Sequence, residues 1–262
     1  MRSYNNWWML YRMGYFSNQS GIMRRYLREE GAWETHLNKT ANSILSAISR
    51  EKPKFVAVLG SGWLLDIPMQ EMLQQGILVK LVDIVHPTRI VHMYRNHKGV
   101  EIVECDITNS IQQIWNFCKR SKSISYQHII EDIRKSGLSG VLDVDLVLSI
   151  NILSQLHVLI VDFLESKTEL GRSQKNEIIS AIQQAHIDLL PAGRSLLITD
   201  CEEESYDENN HLVGVNPRVI AHMDHWQKKD SWQWQFDTKR MFSGDQKVIL
   251  NVASYWKEKP PK

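Results

Sequence analysis

FVAVLGSGWLLDIP, residues 55–68, has the pattern of an apolar strand followed by a glycine-centred turn and the start of a helix. The glycines of Gly60-Ser61-Gly62 allow the backbone to turn sharply and to approach a ligand where a Cβ atom would collide. Strand, glycine turn and helix in this order are typical of a loop that binds a nucleotide cofactor. An ordinary strand-to-helix turn is the alternative, since a GxG motif alone is weak evidence.

Two acidic residues follow the next two apolar runs. The run ILVKLVD ends at Asp83, 21 residues after Gly62, and the run VEIVECD ends at Asp106. Carboxylates at the carboxyl ends of parallel strands can accept hydrogen bonds from the hydroxyl groups of a ribose. Both residues are therefore predicted to contact a ligand, and capping of the next helix or turn is the alternative for each.

Strand and helix patterns alternate along most of the chain, which indicates parallel βαβ units. Apolar residues at helical spacing predict a further helix over residues 33–49, before the first strand. Five strands are expected, the fifth ending at Asp200, and WQWQF and KVILNVASYW predict a final antiparallel pair. The expected fold is α/β, with a mostly parallel seven-stranded sheet, a C-terminal antiparallel hairpin and helices on both faces.

An aromatic and basic extension, residues 1–32, is expected to precede a single α/β domain over residues 33–262. It is predicted to pack over a sheet edge or a helix face, with a lid that closes over a ligand as the alternative. The formal net charge of +1, from 31 basic and 30 acidic residues, provides no global attraction to nucleic acid or to an anionic membrane. Three cysteines without CxxC spacing, and no apolar targeting or membrane-spanning segment, predict a cytoplasmic protein.

The order of these motifs over residues 33–256 resembles the class I S-adenosylmethionine-dependent methyltransferases, with an extra helix, five βα units and a final hairpin. The phrases AWETHLNKT, VLGSGWLLDIP, LVDIVHP and SINILSQL are also similar to a bacterial group within that superfamily. The resemblance implies a Rossmann-like methyltransferase fold and S-adenosyl-L-methionine as the cofactor. It implies transfer of a methyl group to an acceptor, but it does not identify the acceptor.

Matching the family's motifs residue by residue implies a set of cofactor-binding positions. Asp83 matches the acid that binds ribose, Asp106 the acid that contacts the adenine amino group, and Asn151 the fourth motif. Backbone N–H groups around Ser61 and Gly62 are expected to hold the methionine carboxylate, as a strand-to-helix turn favours an anion. The full implied set is Gly60, Ser61, Gly62, Asp83, Ile84, Asp106, Ile107 and Asn151.

The sequence departs from the family's first motif at two positions. Val58 stands where the family has an acidic residue, and Leu64 stands where it has the third glycine. Trp63 adds a large ring at the turn, and Asp66 is the candidate to replace the missing acid from one turn later. The mode of cofactor binding is therefore expected to differ from that of the family, and loss of binding is an alternative.

Methyl transfer from a sulfonium depends mainly on alignment, but a nitrogen or oxygen acceptor benefits from a nearby base. His36, His157 and Asp200 are the candidate catalytic residues, each predicted to lie near the cofactor edge of the sheet. A hydrogen-bonded histidine or a capping carboxylate is the alternative for each. No metal site is expected, because the spacing of the histidines before the final hairpin matches no HExxH or Cys/His motif.

Three functions are compatible with the sequence. Methyl transfer to a small-molecule acceptor is favoured over a nucleic-acid acceptor, for which the basic residues of the N-terminal part would be needed: Arg24, Arg25, Arg28 and Lys39. An NAD(P)-binding oxidoreductase is disfavoured by Leu65 at its third glycine position and by the final antiparallel pair. A non-catalytic nucleotide-binding protein with the same fold is the third reading, and side chains filling the cavity would support it.

Overall fold

A computed structural model of the chain describes residues 4–119, 126–134 and 140–259. The helices are α1 (Tyr4–Arg12), α2 (Tyr15–Arg28), α3 (Glu34–Glu51), α4 (Met69–Gln74), α5 (Thr88–Tyr94), α6 (Ile111–Lys119), α7 (Tyr126–Arg134), α8 (Val158–Glu165) and α9 (Arg172–Leu189). The strands are β1 (Phe55–Leu59), β2 (Leu78–Asp83), β3 (Val100–Glu104), β4 (Leu146–Ile150), β5 (Ser195–Tyr206), β6 (Leu212–Pro217), β7 (Trp226–Asp237) and β8 (Lys247–Lys257). Among the described helices, none is long and apolar enough to cross a membrane.

The strands form one sheet in the order β3-β2-β1-β4-β5-β8-β7. Strands β1 to β5 pair in parallel, and β8 pairs antiparallel with both β5 and β7. This order confirms the predicted α/β fold with its C-terminal antiparallel pair. Because the first five strands are parallel, the loops after β1, β2, β3 and β4 meet at one edge of the sheet.

Alternating side chains along β1 pack on opposite faces of the sheet, as expected for a strand covered on both sides. Val56 and Val58 belong to the apolar cluster that includes α3 and α4. Ala57 and Leu59 belong to a cluster on the other face, where α6 to α9 form a second helical layer. The unbroken run of apolar residues in β1 is therefore explained by burial of both faces of the sheet.

The fifth strand is longer than predicted, and the sheet has eight strands rather than seven. Residues 202–206 continue β5 beyond Asp200, pairing with β8 on one side and with β6 on the other. The polar composition of this stretch indicated a loop, but pairing on both edges satisfies its backbone groups and outweighs the low strand propensity of glutamate. A register shift between Asp200 and Glu202 marks the point where the buried part of the strand ends.

The N-terminal helices pack against the helical layer and the far edge of the sheet. Met9, Leu10 and Met13 are buried in the cluster that contains α6 to α9. Trp33, which directly precedes α3, donates its Nε1–H to the carbonyl of Phe236 on β7 at 3.0 Å. The boundary between an extension and the α/β domain at residue 32 stays a prediction.

The buried histidine His186 should make the stability of the fold depend on pH. Burial lowers the pKa of His186 to about 4, and its Nε2 lies 2.8 Å from Ser149 Oγ inside the fold. The unfolded chain binds a proton near pH 6.5 and the folded chain does not, so this contribution to stability is lost as the pH falls from 6.5 towards 4.

His186→Gln is therefore expected to flatten the pH dependence of unfolding between pH 6 and pH 4.5. The free energy of unfolding should change by about 1.2 kcal/mol less per pH unit near pH 5.5 than in the wild type. Urea denaturation at a series of pH values measures this slope. An unchanged slope would show that His186 is protonated in the folded protein.

Candidate functional site

A cavity of about 620 Å³ opens at the carboxyl ends of the parallel strands. It lies beside β1, where the strand order reverses between β2 and β4, which is the usual ligand position in open α/β sheets. Helix α2 forms one wall of it. All eight predicted cofactor-binding positions line the cavity: Gly60, Ser61, Gly62, Asp83, Ile84, Asp106, Ile107 and Asn151.

The first glycine of the loop is required by both conformation and packing. Gly60 has φ +71°, and a Cβ atom there would lie 2.5 Å from Cδ1 and 2.9 Å from Cβ of Ile152. Gly62 has φ +46°, but its nearest neighbour would be 3.8 Å from an added Cβ. The loop therefore packs closely on the segment after β4 at Gly60 and is open at Gly62.

The loop's N–H groups are bound within the protein, which differs from the expectation that they hold a carboxylate. Gly60 and Ser61 donate to the carbonyl of Val82 at 2.9 and 3.3 Å. Gly62 donates to Oδ2 of Asp83 at 2.9 Å. The side chain at the tip of β2 therefore holds the glycine loop in place.

Asp83 and Asp106 both accept hydrogen bonds from nearby groups, and those of Asp106 are the shorter set. Asp83 also receives two long contacts of 3.4 Å, from Gln19 Nε2 at Oδ2 and from the Val85 N–H at Oδ1, and a backbone hydrogen bond from Ile84. Asp106 accepts four hydrogen bonds from the backbone and side chain of its own segment, at 2.6 to 3.0 Å: Thr108 N, Thr108 Oγ1, Ser110 N and Ile111 N. Burial raises the pKa of both carboxyls. Asp106 thus caps the start of α6 while it also lines the cavity.

Helix α2 is tied directly to the glycine loop. Gln19 Nε2 donates to the carbonyl of Val85 at 3.0 Å, and Trp63 Nε1 donates to the carbonyl of Gln19 at 2.7 Å. Tyr15 lines the cavity, and burial, followed by the charges of Asp106 and Asp83, raises its pKa well above the usual value. The phenol is therefore a hydrogen-bond donor at neutral pH, placed near the two carboxyl groups.

His36 lines the cavity, but its lone pair is already used. Trp232 Nε1 donates to His36 Nδ1 at 3.1 Å, and Trp234 stacks on the imidazole with ring centroids 3.9 Å apart. Burial lowers the pKa of His36 to about 3, so the ring is neutral and carries its proton on Nε2. This contact argues against His36 as a base.

The amide of Asn151 joins His36 to Asp66. Asn151 Nδ2 donates to Asp66 Oδ2 at 2.7 Å and lies 3.0 Å from His36 Nε2. Burial raises the pKa of Asp66, and the hydrogen bond from Asn151 opposes this shift. Asp66, Asn151 and His36 thus form one hydrogen-bonded chain at the centre of the cavity.

His157 and Asp200 do not line the cavity. Asp200 is fully buried within β5, where it accepts a hydrogen bond from Ser154 Oγ at 2.6 Å and forms an ion pair with Arg218. Burial, and then the charges of Arg218 and Lys175, lower the pKa of His157 to about 4. The role of both residues as catalytic candidates stays a prediction.

Two arginines were not predicted as site residues, although both line the cavity: Arg25 on α2 and Arg218 after β6. Arg25 stood out in the sequence only as part of a basic group, and no sequence signal marks Arg218. Of the other basic residues in that group, Arg28 pairs with Asp237 at 3.2 Å and Lys39 with Asp230 at 3.1 Å. These contacts weaken the case for a nucleic-acid face. In the described residues, no three His, Cys, Asp or Glu side chains form a metal-binding group.

Several solved structures are similar to this chain. N-methyltransferase NodS from Bradyrhizobium japonicum WM9, in complex with S-adenosyl-L-homocysteine, has 11% identity and a TM-score of 0.37, with 86% of this chain and 85% of that chain covered. A 1,6-didemethyltoxoflavin-N1-methyltransferase from Burkholderia thailandensis has 14% identity and a TM-score of 0.40, with 99% and 92% covered. An O-methyltransferase family protein from Burkholderia thailandensis has 10% identity and a TM-score of 0.37, with 99% and 70% covered.

These similar structures are all named as methyltransferases. At TM-scores of 0.40 or lower, the similarities carry no argument about activity, and the fold assignment rests on the strand order of this chain. No protein-family model and no curated protein matches the chain.

The structure accommodates both departures from the methyltransferase first motif. Val58 is completely buried in the core cluster with α3 and α4. Leu64 has φ +57°, a left-handed conformation that glycine adopts without strain. Its side chain packs partly against the same core. Packing of the side chain therefore accompanies the strained backbone at this position.

Proposed function

We propose that this chain is an S-adenosylmethionine-dependent methyltransferase that acts on a small-molecule acceptor. The observation that supports it best is the convergence of all eight positions implied by the motif resemblance on a single cavity. The final strand pair also differs from a dinucleotide-binding fold, in which a sixth parallel strand is usual. Because one fold can serve many functions, binding and turnover must be measured.

The cavity has the groups needed to hold the cofactor in a defined orientation. The carboxylate of Asp83, whose contact with the Val85 N–H is long, suits a ribose hydroxyl, and the apolar side chains of Ile84 and Ile107 suit an adenine ring. Asp66 lies near the loop and would serve the methionine ammonium in place of the acid absent at Val58. When bound, the cofactor would supply an activated methyl group. Trp63 and helix α2 would exclude water from it.

The cavity is open, which favours this proposal over a non-catalytic protein with the same fold. Its volume of about 620 Å³ falls within the range of small-molecule sites, and side chains do not fill it. The loop N–H groups already donate hydrogen bonds within the protein, and this feature is the one that best fits a non-catalytic function. Cofactor binding would require other groups, or a small movement of the loop, to receive the methionine carboxylate.

Calorimetric titration with S-adenosylmethionine, S-adenosylhomocysteine and NADH tests the proposal directly. Micromolar binding of the first two alone is expected. Binding of NADH alone would indicate redox chemistry. Absence of binding by all three ligands would favour a non-catalytic role.

Asp83→Ala is expected to weaken the binding of S-adenosylhomocysteine by about 1.5–3 kcal/mol, because it removes a charged hydrogen-bond acceptor. Asp83→Asn keeps an oxygen for the Gly62 N–H and separates loss of charge from loss of loop anchoring. Asp224→Ala, at an exposed position outside the cavity, is the matched control. Unchanged affinity in folded Asp83→Ala protein would remove this residue from the site.

A further inference from the structure

Two guanidinium groups line the half of the cavity on the β5–β8–β7 side of the sheet. Arg25 contacts Phe236 on β7, and Arg218 is held by Asp200 on β5. Resting on the function proposed above, we propose that Arg25 and Arg218 bind a carboxylate of the methyl acceptor. The acceptor is therefore a small acidic molecule with an apolar or aromatic body.

Arg25 has no acidic partner of its own. Among the described residues, its guanidinium makes no ion pair, and its buried Nε has no hydrogen-bond partner. It packs instead on the rings of Phe236 and Phe242, with centroid distances of 4.6 and 4.4 Å. Burial, and then repulsion from Arg28, lower its pKa, while the nearby charges of Asp237 and Glu29 partly oppose this shift. A cation that is partly removed from water and unpaired is stabilised by an anion placed against it.

Arg218 is fixed by two carboxylates, and one terminal nitrogen of its guanidinium remains available to bind a ligand. Nε donates to Asp200, and Nη1 donates to Glu203 Oε2 at 2.7 Å. In the described parts of the chain, Nη2 has no hydrogen-bond partner. A planar guanidinium fixed on two sides is well suited to recognise a carboxylate with its remaining N–H groups.

The two carboxylates near Arg25 lie outside the cavity lining and are hydrogen-bonded elsewhere, except that Glu29 Oε1 has no hydrogen-bond partner among the described residues. Asp237 accepts hydrogen bonds from Arg28 and from the N–H groups of Met241 and Phe242. Glu29 Oε2 accepts two hydrogen bonds from Thr238, each of 2.8 Å. The two arginines, in contrast, line the cavity itself, and Arg25 does so without an ion pair among the described residues.

The position of this pair favours the acceptor over the cofactor as the source of the carboxylate. Strand β7 is three strand positions from β4, or roughly 14 Å along the sheet, whereas the glycine loop and Asp83 belong to β1 and β2. The surface between them is apolar and aromatic, formed by Trp234, Phe236 and Leu250. These side chains suit a flat apolar body whose acidic group reaches the arginines.

The test uses 1-naphthoate and its neutral isostere 1-naphthamide as probes, titrated into the full-length protein saturated with S-adenosylhomocysteine. Naphthoate is expected to bind about tenfold or more tightly than the amide. Arg25→Gln should remove that preference, and Arg25→Lys should restore part of it by returning the charge without the fork. Arg24→Gln, an exposed neighbour on α2 that does not line the cavity, is the matched control.

The same variants distinguish the two sources of a carboxylate. Titration with S-adenosylhomocysteine and with 5′-methylthioadenosine, which lacks the amino-acid carboxylate, should give the same affinities for Arg25→Gln and the wild type. Weaker binding of S-adenosylhomocysteine alone would assign Arg25 to the cofactor and overturn the proposal. Equal binding of naphthoate and naphthamide by the wild type would also overturn it. Failure of the wild type to bind S-adenosylhomocysteine would instead refute the proposed methyltransferase function.

Discussion

Arg218→Met is expected to lower the free energy of unfolding by about 3–5 kcal/mol, because it leaves a buried carboxylate without its cation. Asp200 is fully buried, and Ser154 Oγ, at 2.6 Å, would be its remaining side-chain partner. Urea denaturation at pH 7 measures the loss. Arg24→Met, at an exposed position, controls for the change from arginine to methionine.

A second variant shows whether the unpaired charge causes the loss. The double variant Asp200→Asn/Arg218→Met removes both charges and should recover most of the lost stability. If the single variant loses less than about 1 kcal/mol, the pair is not a significant source of stability, in contrast to the usual cost of breaking a buried pair. Equal losses in the single and double variants would assign the effect to packing.

Gly60→Ala is expected to lower the free energy of unfolding by about 3 kcal/mol and to disrupt cofactor binding. The φ of +71° costs roughly 1–2 kcal/mol for a residue with a Cβ, and the 2.5 Å contact with Ile152 adds the cost of overpacking, about 1–3 kcal/mol. Thermal or urea unfolding measures the stability, and calorimetry with S-adenosylhomocysteine measures binding.

Gly76→Ala is the matched control for this variant. Gly76 has nearly the same φ, +74°, but nothing lies within 4 Å of its Cβ position. It should therefore lose only the conformational part of the energy, about 1–2 kcal/mol. Equal losses at the two glycines would show that Ile152 moves aside and that the loop after β1 tolerates a side chain.

The part of the cavity formed by the glycine loop and the two acids could be predicted in advance because its signals are local. A glycine turn after an apolar strand, and acids at the ends of the next two strands, need only the periodicity and spacing of residues within about 50 positions. The hydrogen-bond partners of these side chains were harder to predict from the sequence. Capping by Asp106 and the use of Asp83 to hold the Gly62 N–H depend on loop conformations that spacing does not determine.

The catalytic candidates were predicted less well, since their positions depend on contacts between distant elements. His36 reaches the cavity, but Trp232, 196 residues later, occupies its lone pair. Asp200 was expected at a strand end, yet pairing with β6 and β8 extends β5 and leaves the carboxylate inside the fold.

The sequence by itself determined the α/β fold, the parallel order of the first strands and the glycine loop with its two acids, because apolar periodicity and backbone sterics act over short distances along the chain. Tertiary structure alone decided which donors and acceptors are still free. Arg25 and Arg218 lie 193 positions apart, yet the return of the C-terminal strands past β5 brings both to one cavity. Burial then sets whether each charge is paired, shifted in pKa or available to a ligand, and burial is a property of the packed molecule.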